Sequence, residues 1–161
     1  MGDIRHFRDL RVYQAGLANA MKLFELSKSW PKEEKDSLVD QIRRCSRSIC
    51  ANIAEAWRKR RYEAHFISKL TDADGEAGGT RAWLDIALKC GYITQTQHAE
   101  FDAQYEEISG GLVKMMSAPE KWRGPAGLVK EETGEYVVTP HPKIARSPLP
   151  PFPHSRSSKR K

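Results

Sequence analysis

Between Ser37 and Arg61 the apolar residues recur at steps of three and four, and the rest of the chain is organised around that stretch. At about 100° per residue, Leu38, Ile42, Cys45, Ile49, Ile53 and Ala56 fall on one narrow helical line. A second line beside it holds Val39, Cys50, Ala54 and Trp57. Together they make an apolar face wider than the roughly 100° stripe of an ordinary surface helix. A face that wide calls for two partners, one inside its own bundle and one on a neighbouring subunit. The opposite face carries Arg44, Arg47 and Arg58, with Asp40 and Glu55 among them. Close to three whole turns separate Arg47 from Arg58, and Arg44 from Glu55, so each pair lies almost in line.

Three more segments carry the helical period. Leu10, Tyr13, Leu17, Ala20, Met21 and Phe24 predict an amphipathic helix running to about Ser29, with Asp9 as its N-cap. Pro31 ends it. Trp30 to Glu34 then makes a tight connection, with Pro and acids placed where the start of the second helix favours them. So short a link makes the first two helices antiparallel neighbours. Phe66, Leu70, Ala73, Ala77, Leu84 and Leu88, with Thr80 on the same line, predict the third helix. Gly75, Gly78 and Gly79 interrupt it, and each disfavours helix by ~1 kcal/mol relative to Ala. A packing reason is therefore expected, close approach of a neighbouring helix first and a bend second. Gly91 suits the residue after a helix end, and Thr94 suits the N-cap of a fourth helix. Phe101, Tyr105, Ile108, Leu112 and Met115 form that helix's stripe, while Gly110-Gly111 signals fraying or a close contact. The expected fold is all-α, an antiparallel up-and-down four-helix bundle over residues 1–118.

After Ser117 the pattern changes. Pro119 and Gly124-Pro125 break the helix, and residues 128–138 read as a weak hairpin around Thr133-Gly134. From Pro140 the chain is Pro, Ser and basic residues, too poor in apolar surface to order itself. Residues 119–161 are thus expected to be a largely disordered tail, either an RNA- or partner-touching segment or a solubilising extension.

Charge sharpens this division. The net charge is +6, with nine of the 27 Lys and Arg residues but only four of the 21 acidic ones beyond residue 118. The bundle is nearly neutral, which argues against wholesale wrapping of nucleic acid and permits a local basic ridge. Cys45, Cys50 and Cys90 make no disulfide framework, and no neighbouring His suggests zinc. Buried free thiols in a reducing, cytoplasmic setting are expected. No secretory leader and no membrane-spanning run is evident.

The candidate chemistry is sparse. Asp72, Asp74 and Glu76 lack the spacing of a Ca²⁺ loop, and the glycines of the third helix lack the preceding strand and the GK[ST] ending of a phosphate loop. His65 and His98 stand on helices without a paired His or Cys. No Ser/His/Asp, Cys/His or paired-carboxylate set is present, so no catalytic residue, metal or cofactor is assigned and the chain reads as non-enzymatic. What stands out is basic: the helix row and the run Arg58-Lys59-Arg60-Arg61. A solvated face and a helix C-terminus that favours cations would account for part of it. Four adjacent basic residues exceed what a helix end needs. Arg43, Arg44, Arg47, Arg58, Lys59, Arg60 and Arg61 are therefore the candidate nucleic-acid contacts. They would touch phosphates rather than read bases, since the sequence offers no aromatic-plus-basic platform.

Three stretches resemble a known family. LRVYQAG, DQIRRCSRSICANIAEAW and LTDADGE followed by WLDIALKCGYI are similar to bacterial four-helix-bundle proteins encoded in intervening sequences of 23S ribosomal RNA genes. The resemblance covers roughly residues 4–118, and Asn52-Ile53-Ala54-Glu55 after Gln41-Ile42-Arg43-Arg44 is its most specific part. Ala56 stands where the family usually has Gly, and Gly79 where an acid is common. The resemblance implies a bundle assembled as a homopentamer. It also implies a distant likeness to the accessory protein of diversity-generating retroelements, a basic pentamer that binds a reverse transcriptase and RNA. No catalytic residues are established for the family. A homo-oligomer with RNA, a reverse transcriptase or another protein as partner, and no membrane, is the resulting expectation.

Overall fold

A computed structural model describes residues 4–124. Four α-helices run up and down in antiparallel order: α1 (Arg11–Ser27), α2 (Leu38–Lys59), α3 (Glu63–Lys89) and α4 (Gln95–Ser117). Short 3₁₀ turns at Phe7–Asp9, Lys32–Glu34 and Pro119–Trp122 complete the described chain, which contains no strand. The predicted hairpin at 128–138 and the proline-rich tail lie outside the described residues.

α2 sits between α1 and α3, and the α2–α3 contact is the most extensive in the bundle. This placement accounts for its wide apolar face without a second subunit. Its centre, Ile42, Ile49, Ile53 and Ala56, is fully buried. On one flank the half-buried Cys50 lies against Gly16 of α1, and on the other the half-buried Cys45 lies against Gly79 of α3. Cys90 is exposed, so burial of all three thiols, as expected from sequence, does not hold.

The stripe of α4 is buried as expected, at Phe101, Tyr105, Ile108, Leu112 and Met115. In α3 the buried line ends on Ala87, with Leu88 only half-buried. α1 departs most. It buries Val12, Gly16, Asn19, Ala20, Leu23 and Ser27, whereas Leu17 and Met21 are 45% and 51% exposed. The small residues face inward because α1 comes close to its neighbours there. A Cβ on Gly16 would lie 3.3 Å from Cys50 Sγ, and one on Gly111 of α4 would lie 2.5 Å from Val12 Cγ1. Asn19 is only half satisfied inside: its side-chain amide donates to the Ala15 carbonyl at 2.9 Å, while its Oδ1 has no partner among the described residues. The glycine-driven approach is thus made at Gly16 and Gly111. Of the three glycines of α3 where it was expected, Gly79 would place a Cβ 3.6 Å from Cys45 Sγ, an ordinary contact, whereas Gly75 and Gly78 have nothing within 4 Å of a built Cβ among the described residues.

Helix ends follow local chemistry. Asp9 does not cap α1; Leu10 holds that position, and the Asp9 carboxylate instead accepts from the amides of His6 (2.8 Å) and Arg5 (3.0 Å). Those bonds hold its carboxyl below the usual range. The second helix starts at Leu38 rather than at the Lys32–Glu34 turn, and Glu34 accepts from the Leu38 amide at 3.2 Å. The other oxygen of Glu34 receives the Tyr92 hydroxyl at 2.9 Å, tying the α1–α2 and α3–α4 connections together. Gly91, at φ 76°, closes α3: its amide bonds Leu88, and that of Tyr92 bonds Ala87, in a Schellman arrangement. Thr94 and Gln97 form a reciprocal capping box on α4. After α4, Pro119 is buried and Trp122 packs on the core, while Arg123 pairs with Glu63 at the start of α3.

Candidate nucleic-acid interface

The seven basic candidates separate into two groups. Arg43 turns away from the row. Its Nε donates to Ser27 Oγ at 2.8 Å and its Nη2 to the Phe24 carbonyl at 3.3 Å, so it satisfies the last turn of α1 from across the helix pair. Arg60 serves its own helix: Nη1 donates to the Trp57 carbonyl at 2.7 Å, and the guanidinium lies 4.2 Å from the Trp57 ring centroid. Both are partly buried and have structural work.

The other five are exposed. Arg44 lies 3.8 Å from Asp40, a loose pair with its side chain 72% open. Arg47 reaches over the Phe24 ring at 5.7 Å. Arg58, Lys59 and Arg61 surround the end of α2. Glu55, which the helix pattern places among the arginines, bonds Lys69 of α3 at 2.9 Å, and Lys69 also lies 3.5 Å from Asp72. The contact with Lys69 holds the Glu55 carboxyl below its usual range. Arg58 and Arg61 make no ion pair among the described residues. Burial, and after it the charges of Arg61 and Arg58, lower the pKa of Arg60 between them. Positive charge thus accumulates where α2 turns into α3.

An aromatic feature at the same corner was not expected from sequence. Tyr62 is 55% exposed, and its ring lies 5.8 Å from that of His65 at 41°. The sequence signal was present: Tyr62 directly follows the basic run and belongs to neither helical stripe.

Elsewhere, Ser48, Asn52, Thr71, Asp72, Gly75 and Glu76 line a shallow polar groove of about 570 Å³ between α2 and α3. His98 is held by Asp85 at 2.6 Å. Among the described residues, no group of three or more His, Cys, Asp and Glu side chains is arranged to hold a metal. No described helix is long and apolar enough to cross a membrane.

Fold and surface together define a small antiparallel four-helix bundle with a basic corner and no recognisable catalytic constellation among its described residues. The chain belongs to the 23S rRNA-intervening sequence protein family, whose profile matches residues 8–114. Among solved structures it is similar to a protein of unknown function from the S23 ribosomal protein family of Bacteroides thetaiotaomicron VPI-5482. The two are 33% identical, the match covers 66% of this chain and 95% of that one, and the TM-score is 0.59. No curated protein matches the chain.

Proposed function

We propose that this protein is a non-enzymatic, oligomeric helical scaffold that binds RNA, or a protein–RNA complex, through basic residues on and just after α2. One observation carries the reading: Arg58, Lys59 and Arg61 are exposed where α2 ends, and Arg58 and Arg61 make no ion pair among the described residues, while Glu55 is bonded to Lys69 at 2.9 Å. Uncompensated guanidinium groups at one corner suit phosphate oxygens, which Arg can engage two at a time. Arg44 and Arg47 extend this surface along α2, and Arg43 and Arg60 contribute by fixing the helices that present it. A cytoplasmic setting agrees with free thiols.

The test is electrophoretic mobility shift at two salt concentrations, beside a mass measurement of the assembly. Three phosphate contacts per protomer weaken binding by about 20- to 40-fold between 50 and 200 mM salt. Changing Arg44, Arg47 and Arg58 together to Glu should abolish binding and leave helicity and mass unchanged. Binding that survives the triple change refutes the arginine assignment.

A second reading, a protein-interaction ring serving a reverse transcriptase or another protein without RNA contact, has its own observation. The outward face of α3 is uncharged over most of its length, through Ala64, Ser68, Gly75, Gly78, Ala82 and Ile86, all exposed. Leu17 and Met21 of α1 are likewise open to solvent. Such faces suit packing against other copies or partners. A stable oligomer that ignores RNA at low salt, and that Ala82→Glu breaks into smaller species, would favour this reading.

A further inference from the structure

We propose that the turn from α2 to α3 is a site for single-stranded RNA, in which Tyr62 stacks on an unpaired base while Arg58 and Arg61 hold the flanking phosphates. The proposal rests on the RNA reading above and narrows its ligand from phosphate backbone in general to strands with unstacked bases.

Tyr62 occupies the N-cap of α3, where Ser, Thr, Asp or Asn would accept a backbone hydrogen bond. It supplies no such bond, and more than half of the residue is open to solvent. The fold therefore gains neither a cap nor a core residue from it. The ring contact it does make, with His65 at 5.8 Å, steadies an aromatic surface at the helix start. The surroundings favour an anion. Arg58 and Arg61 lack acidic partners among the described residues, and the carboxylate beside Tyr62, that of Glu63, is engaged by Arg123. The first-turn amides of α3 have no side-chain cap and add the positive end of a 27-residue helix. An exposed ring beside uncompensated cations is the arrangement by which single strands are held, because every base offers a face for stacking. A duplex keeps its bases stacked inside and cannot present one to Tyr62.

Fluorescence anisotropy with labelled oligouridine and with a short RNA duplex tests this on the full chain. Tyr62→Ala should weaken oligouridine about tenfold, Tyr62→Phe should retain wild-type affinity, and duplex affinity should not change with either. Arg58→Gln combined with Arg61→Gln should weaken both ligands and reduce the salt slope for the single strand by about 1.4. An unchanged helical signal and melting midpoint would show that the variants fold. If the arginine changes weaken binding and Tyr62→Ala does not, or if Tyr62→Ala weakens strand and duplex alike, the stacking site falls and the phosphate reading stands. If the wild-type chain binds neither ligand at low salt, both fall, and Tyr62 becomes a candidate protein contact.

Discussion

Two adjacent glycines in α4 should respond in opposite ways to the same substitution. Gly110 faces outward, with nothing within 4 Å of a built Cβ among the described residues. Gly110→Ala should therefore stabilise the bundle by up to ~1 kcal/mol, the helix propensity difference between the two residues. At Gly111 the new methyl would lie 2.5 Å from Val12 Cγ1, well inside carbon–carbon contact distance. Val12 is buried, and a β-branched residue in a helix has little rotameric freedom with which to retreat. Overpacking of this kind destabilises by about 1–3 kcal/mol. Set against the same ~1 kcal/mol propensity gain, Gly111→Ala should end about 0–2 kcal/mol below wild type. Thermal or urea unfolding followed by circular dichroism, at fixed protein concentration because assembly would shift both curves, gives the comparison. The double variant with Val12→Ala locates the cause, since the loss specific to Gly111→Ala should vanish once the valine methyls are gone. If Gly110→Ala and Gly111→Ala melt together, α1 and α4 do not approach as closely as described, and the account of Gly111 is wrong.

Thr94→Ala removes one half of the α4 capping box and should lower stability by about 1 kcal/mol, while Thr94→Ser retains most of it; unfolding midpoints decide. The Arg81 guanidinium, bonded to Asp102 at 2.7 and 3.2 Å, holds that carboxyl below its ordinary value. Because the folded-state pKa is depressed, this stabilisation is present above the unfolded value near 3.9 and is lost as pH falls through the folded one. Arg81→Gln should therefore lower the melting midpoint in the neutral region and leave it nearly unchanged in acid, where Asp102 is protonated in both proteins, so that the acid limb flattens. The Cys50 thiol is pushed up to about 11 by burial, and that of Cys45 is also raised by burial, whereas Cys90 is exposed. At pH 8 only about a thousandth of Cys50 would be thiolate. A chromogenic thiol reagent should then show one fast equivalent in the folded protein, absent in Cys90→Ser, and a fast reaction of Cys50 would contradict the packing of α1 on α2.

The sequence pattern was most legible where large apolar residues and burial coincide. The α4 stripe is the clearest case, because Phe101, Tyr105, Ile108, Leu112 and Met115 occupy one line and no competing apolar line exists on that helix. α1 misled for the opposite reason. Its apolar residues cover more of the circumference than the bundle can use, and periodicity alone weights Leu17 and Met21 above Gly16, Asn19 and Ser27. Close approach reverses that weighting: where Gly16 meets Cys50, small residues must face inward and the larger ones are left outside. Among the basic candidates, the spacing of Arg47 and Arg58 revealed a shared face. The use of Arg43 on the last turn of α1 depends on a contact 16 residues away in sequence and left no local signal. Leu17, Met21 and Tyr62 have one property in common. Each is a large apolar or aromatic side chain that the observed bundle packing does not absorb, and each is exposed. In a bundle that is nearly neutral, recognition has little general electrostatic attraction to rely on. The binding proposed above must then be local, and these positions, with the arginines beside Tyr62, are where substitution should test it while leaving the fold intact.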